Sequence, residues 1–352
     1  MAKANLAAII LLLVVLTTAR AQQQTGVYTK YVGGDQAEVT TKPARPEDFI
    51  SEEVIFQNGD VTLGGTLTLP KSGAARHPAA VIISGSGSQN RDGSSLLGFY
   101  KQIAERLSSN GVAVLRHDDR GIGKSSMPKK PTAYRDLVND SRAAVAYLRA
   151  RKEIDPDRIM LVGHSEGGTT SVLIASEDQK IAALVLLAGA TLATLDRLLI
   201  EQTLYQQALA RPINPQDREQ YPPIVKWLLA RIEEAKAGKQ DVAPTDLYEY
   251  LRQHISLNLP DTYKRVKCPV LILQGERDVL VLPHHAIEAA RVLAESGNKR
   301  VLLRVMPNLS HIFTPSPLDG SIEASKKMEI SPEVLEMIQK WAGEVFETKA
   351  GK

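Results

Sequence analysis

The sequence predicts an α/β protein: a mostly parallel central sheet with helices on both faces, interrupted by a helix-rich insertion. Three observations lead there. Beyond Pro78, short apolar segments alternate with amphipathic ones, the pattern of strands joined by crossover helices. Segments such as Ala80-Val81-Ile82-Ile83 and Ile159-Met160-Leu161-Val162 are continuously apolar, so those strands are buried on both faces. At 352 residues and roughly 150 residues per domain, the chain accommodates one large α/β domain carrying an insertion, or two ordinary domains.

Composition narrows the function classes. With 43% hydrophobic and 24% charged residues, the chain is of ordinary globular type, which excludes disordered, collagen-like and multi-span membrane proteins. Loss of Lys3 and Arg20 with a leader takes 43 basic residues to 41, against 40 acidic. That balance gives no basic surplus for nucleic acid. Cys268 is the only cysteine, so no internal disulfide and no cysteine-based metal site can form. No metal or cofactor is expected, and the oligomeric state is left open.

Lys3, the apolar run Leu6 to Leu16 and Ala19-Arg20-Ala21 read as a signal peptide, residues 1–21, cleaved after Ala21. The run is shorter than the about 20 residues of a membrane span, and no cysteine follows it for a lipid anchor. The expectation is an exported protein, periplasmic or extracellular, without a stable membrane anchor after processing. Residues 22–50 read as a leader segment with no steady periodicity. Glu53 to Phe56, the turn Asn58-Gly59, Val61 to Leu63 and Thr66 to Leu69 suggest antiparallel strands at a sheet edge.

The alternation then begins: strand Ala80 to Ile83, a helix through Leu96 to Leu107, strand Val112 to Arg116, a helix through Leu137 to Leu148, strand Ile159 to Val162 and strand Ile181 to Leu187. Residues 192–263 form the insertion, a helical cap with apolar stripes through Leu198, Leu199, Leu204 and Leu209, then Ile224, Trp227, Leu228 and Ile232. The sheet resumes at Val270 to Leu273 and Val301 to Val305. A helix from Ser331-Pro332 closes the pattern and buries Val334, Ile338, Trp341 and Val345. The main domain is therefore 51–191 with 264–348.

Gly163-His164-Ser165-Glu166-Gly167 is G-x-S-x-G directly after a strand. In that setting the glycines permit a sharp reversal that exposes the serine hydroxyl at a helix N-terminus. A nucleophilic serine needs a base and a residue to orient it. In chain order Ser, acid, His, Asp278 follows the Val270 strand and His311 follows the Val301 strand, each at a carboxyl end where open α/β sheets place their sites. Glu276 is the reserve acid. Of the seven histidines, His117 also ends a strand but precedes the serine and reads as structural, and His164 is expected to point away from the base.

Oxyanion donors are expected from the backbone N–H of Glu166 and, in the loop Ser84-Gly85-Ser86-Gly87-Ser88, from Ser86 or its neighbour Gly87. Two nucleotide motifs fail. Gly121-Ile122-Gly123-Lys124-Ser125 lacks the first P-loop glycine, where Asp118 stands, and Gly85-Ser86-Gly87 has Asn90 at the third dinucleotide glycine.

These motifs, with Val61 to Pro70, Arg91-Asp92 and Asp118 to Ser125, resemble the α/β-hydrolase superfamily over about Glu52 to Phe346. More narrowly, they are similar to exported bacterial serine esterases near the dienelactone-hydrolase and prolyl-oligopeptidase-like branches. The resemblance implies an α/β-hydrolase fold and a serine hydrolase, most of those relatives being carboxylesterases and some aminopeptidase-like. The expected reaction is cleavage of a small carboxylic ester by Ser165, His311 and Asp278 through an acyl-enzyme. Tyr205 and Trp227 of the cap are expected to contact the acyl group. The alternatives are an aminopeptidase-like peptidase and a non-catalytic binding protein on the same scaffold.

Overall fold

The computed structural model describes residues 44–130, 132–210, 216–238, 246–316 and 328–350. The predicted signal peptide and most of the leader segment lie outside the described residues. Eight strands form one sheet: β1 (Phe49–Asn58), β2 (Val61–Pro70), β3 (His77–Ile83), β4 (Ala113–His117), β5 (Ile154–His164), β6 (Ala183–Leu187), β7 (Val270–Gly275) and β8 (Val301–Met306), in the order β1-β2-β4-β3-β5-β6-β7-β8. The β1–β2 and β2–β4 pairings are antiparallel, and all the others are parallel.

The helices are α1 (Phe99–Ser108), α2 (Tyr134–Arg149), α3 (Glu166–Glu177), α4 (Leu195–Ala210), α5 (Pro223–Lys236), α6 (Asp246–Ile255), α7 (Leu259–Lys264), α8 (Pro283–Glu295) and α9 (Pro332–Ala350). Alternate residues of each central strand feed opposite layers. Val81, Leu161, Leu184 and Ile272 pack with Val138 and Leu148 of α2, Val172 of α3 and Leu293 of α8. Ala80, Met160, Val185 and Leu271 pack with Ile103 and Leu107 of α1 and with Val334, Ile338 and Trp341 of α9. Each strand is thus apolar on both faces, as its composition requires.

Three features differ from the sequence reading. The edge hairpin starts at Phe49, inside the segment assigned to the leader, and β2 runs unbroken through Gly64-Gly65. Those glycines do not end the strand; they admit a neighbour, since a Cβ on Gly64 would lie 2.5 Å from Lys124 Cβ. Helix α1 begins at Phe99, not Leu96, because Leu97 and Gly98 both take left-handed φ values. Between β6 and β7 the chain forms α4 to α7, and Leu199, Tyr221, Val225, Leu228, Ile232 and Leu251 make a small core of their own. Among the described residues no helix is long and apolar enough to cross a membrane.

Candidate active site

Ser165 is the single residue between β5 and α3, with φ 53° and ψ −122°, a conformation an L-residue holds only when its surroundings impose it. They do so by contact. A Cβ on Gly163 would stand 2.2 Å from Gly167 O, on Gly167 2.3 Å from Ile83 O, and on Gly189 2.1 Å from Ser165 O. Gly189, just past β6, has no motif around it in the sequence, yet it lets two strand ends close on the serine. Ser165 N–H donates to Leu187 O at 2.9 Å, and Gly168 N–H donates to Ser165 O at 2.9 Å, pinning the residue on both sides.

Asp278 is buried in the loop after β7. Its Oδ1 accepts the N–H groups of Leu280 (2.8 Å) and Val281 (2.9 Å), and its Oδ2 accepts Gln274 Nε2 (2.8 Å). The same Oδ2 lies 2.8 Å from His311 Nδ1. With Oδ1 occupied by the backbone, the carboxylate cannot turn away from the imidazole. Gly275 permits the approach of the His311 loop, because a Cβ there would stand 2.3 Å from Ser310 O. Ser165 and His311 both face one cavity of ≈ 140 Å³.

His164 does not point away from the base. Its ring lies 4.9 Å from that of His311, and its Nε2 is 3.1 Å from His311 O. Burial, and secondarily the neighbouring His311, push its pKa down to about 3, so it stays a neutral donor that fixes the His311 backbone. The reason is local: β5 ends at His164, and the turn begins only at the serine, so the histidine keeps its strand orientation. His117 sits in a different place, edge-on to Phe56 with ring centroids 5.8 Å apart. Burial lowers its pKa. Glu276 accepts Asn308 N–H at 2.9 Å and braces the His311 loop rather than the imidazole.

The loop after β3 brings Ser86 to the cavity, and Glu166 joins it from the start of α3. Gly85 N–H is already committed to Tyr100 Oη at 2.9 Å, and that hydroxyl donates to Gln89 Oε1 at 2.9 Å. Gln89 N–H and Ser84 Oγ in turn donate to Asp119, at 2.7 and 2.9 Å. Tyr100 and Asp119 therefore position this loop, a role invisible in the sequence because both belong to other elements. Burial raises the Asp119 pKa to about 7, against its hydrogen bonds from Gln89 and Ser84, with the charges of Glu166 and Asp140 adding to the rise. The Asp118 to Ser125 segment is a brace: Asp118 pairs with Arg91 at 2.6 Å and accepts Lys124 N–H at 2.9 Å.

The far wall of the cavity comes from the inserted helices: Leu195, Leu198, Leu199 and Gln202 of α4, and Tyr250 and His254 of α6. Tyr205 and Trp227, expected there, are not part of it. They are 39% and 42% exposed, because the stripe of α4 that faces the cavity runs through 195, 198, 199 and 202, and α5 packs behind α4. The aromatic residue at the site is Tyr250, whose hydroxyl donates to Glu166 Oε1. Burial and the Glu166 charge raise its pKa well above the usual phenol value.

A sequence profile described as serine aminopeptidase, S33, matches residues 93–314, well over half of the chain. The chain belongs to that family. It is thus an α/β-hydrolase, and the eight-stranded sheet agrees. Among curated proteins it is similar to esterase EstD of Thermotoga maritima, 27% identical over 310 residues that cover 84% of this chain and 69% of the relative. Among solved structures it is similar to Est1E of Butyrivibrio proteoclasticus with ferulic acid bound, at TM-score 0.55, 20% identity, and coverage of 85% of this chain and 100% of that one. The Pyrococcus furiosus esterase Pf2001 superposes at TM-score 0.54 with 19% identity, over 89% and 99% of the two chains. At those identities the two structures speak for the fold.

Proposed function

We propose that this hydrolase cleaves small carboxylic esters through an acyl-enzyme on Ser165. The observation that carries the reading is the 2.8 Å contact from Asp278 Oδ2 to His311 Nδ1, made beside the cavity that also contains the strained serine. Ser165 Oγ attacks the acyl carbon and passes its proton to His311 Nε2, while Asp278 holds the proton on Nδ1 and stabilises the imidazolium. The carbonyl oxygen becomes an oxyanion held by the N–H groups of Glu166 and Ser86; one such donor is worth about 2.7–4 kcal/mol. His311 returns the proton to the departing alkoxide, and a water activated by the same base releases the acid. Residues 192–263 act as a cap whose apolar side encloses the acyl group. The EstD relationship supports an ester substrate.

A second reading is an aminopeptidase, favoured by the description of the family profile and by one feature of the cavity. Glu166 places a carboxylate in the cavity next to the nucleophile, where a substrate ammonium would sit. Against it, the Tyr250 hydroxyl already occupies one oxygen of that carboxylate. Purified protein tried on p-nitrophenyl acyl esters and on aminoacyl p-nitroanilides separates the two, with ester turnover expected to dominate. Stoichiometric fluorophosphonate labelling, absent in Ser165→Ala, is expected; failure to label would favour a non-catalytic binding protein. Export with cleavage after Ala21 belongs to the same proposal, and the N-terminal mass of protein recovered from the periplasm or medium tests it.

A further inference from the structure

Away from the serine site, α4 meets the start of α8, and three side chains converge there. His284 Nε2 lies 3.1 Å from Glu201 Oε2, and His285 Nε2 lies 2.8 Å from the same oxygen. The three potential ligand atoms are all within 4.8 Å of one another. This is not a conventional hydrogen-bonded triad. Glu201 Oε2 and both ring nitrogens of His285 are buried with no hydrogen-bond partner among the described residues, although the side chain of His285 is only 1% exposed. Glu201 Oε1, by contrast, is satisfied by Arg197 Nε at 2.6 Å, which leaves Oε2 turned toward the two imidazoles. Buried polar atoms left unpaired are rare in folded proteins and call for an occupant.

We propose that Glu201, His284 and His285 form a binding site for a divalent ion of the zinc class. Two imidazole nitrogens and one carboxylate oxygen are the donor set such ions take, whereas magnesium and calcium select oxygen ligands. Metal bonds of about 2.0–2.1 Å put tetrahedral ligand atoms roughly 3.3 Å apart, so the observed 2.8 and 3.1 Å separations open by only a few tenths of an ångström to admit the ion. The exposed side of His284, at 44%, leaves a fourth position to water. Arg197, held between Glu201 and Glu288, engages Oε1 and not the converging oxygen.

The ion would join α4, which walls the serine cavity, to α8, whose preceding loop also reaches that cavity. Leu198, Leu199 and Gln202 flank Glu201 on α4, and Leu280 and Val281 lie just ahead of α8. Occupancy therefore ties the inserted helices to the α/β domain and holds the acyl-side wall in place. The test uses untagged, chelator-treated full chain and zinc alone as probe, titrated against a chromogenic chelator, with the thermal midpoint followed in parallel. Expected are one zinc per chain in the wild type, a rise in Tm with zinc that magnesium does not reproduce, and binding at least about tenfold weaker in both His284→Ala and Glu201→Gln. His284 is partly exposed, at 44%, so its variant is expected to keep the fold, as circular dichroism would verify. The proposal is overturned by the absence of stoichiometric zinc binding, or by binding and Tm shifts that persist unchanged in both variants.

Discussion

The cavity has two walls of different construction. On the sheet side, backbone touches backbone: Gly163, Gly167 and Gly189 each leave less room than one methyl group needs, and main-chain hydrogen bonds fix Ser165 from both neighbouring elements. On the helical side, side chains of α4 and α6 form the surface over a small core of their own. A wall of the first kind cannot be altered by degrees, because a close-packed backbone does not give way gradually. A wall of the second kind can repack around a different acyl group while leaving the chemistry in place.

The largest effect should come from the hydroxyl that the proposed acyl transfer uses on the rigid wall. Ser165→Ala is expected to lower kcat by about 10⁴-fold or more while the urea midpoint stays at or above that of the wild type; a parallel loss of stability would make the serine structural. Gly189→Ala should damage both properties together. Its Cβ would stand 2.1 Å from Ser165 O, and overpacking of that kind costs about 1–3 kcal/mol or more, read as a lower urea midpoint with a large drop in kcat/KM. If Gly189→Ala were fully active, the idea of an unyielding wall would fail.

On the helical wall the expected changes are smaller and selective. Leu198→Ala should shift the ratio of kcat/KM between long and short acyl esters by roughly tenfold, the scale of a lost apolar contact of about 1–3 kcal/mol. Trp227→Ala should leave the ratio unchanged, since that side chain lies outside the cavity lining. Equal responses from the two variants would show that the helices act only as a cover.

The last effect is read in pH and not in turnover, and concerns Asp119, whose carboxyl group holds the loop after β3. Asp119 has a folded pKa of about 7 against an ordinary 3.8, so the folded state keeps its proton where the unfolded chain releases it. Its contribution to stability therefore declines as pH rises from about 4 to about 7 and is flat outside that window. Asp119→Asn should remove that slope, measured as the difference in urea midpoint between wild type and variant across the window. A difference independent of pH would mean that Asp119 is ionised in the fold throughout.

The same division explains what could be read from the sequence. Strands buried on both faces carry their identity in composition, and Ser165, Asp278 and His311 sit at strand ends whose order the chain itself gives. The structure brings the last two into contact and puts the first on their cavity. Gly189 was illegible because its constraint comes from Ser165, 24 residues earlier; Tyr100 and Asp119 were missed because their partners lie on the loop after β3, a different element from either. For Tyr205 and Trp227, amphipathic spacing showed that α4 and α5 have apolar faces but not which face meets the cavity, and that depends on how the inserted helices pack. His164 was misjudged by treating the turn as starting one residue too soon.

The left-handed φ of Ser165 bears on the protein's stability as well as its chemistry. A non-glycine residue held outside the common backbone regions carries of order 1–3 kcal/mol of strain, and glycine at the same position would relieve it. Stability alone thus favours glycine over serine at 165, and the proposed turnover is what serine would serve there. A chain relieved of the proposed chemistry would therefore be better folded with glycine at this position than with the serine it carries.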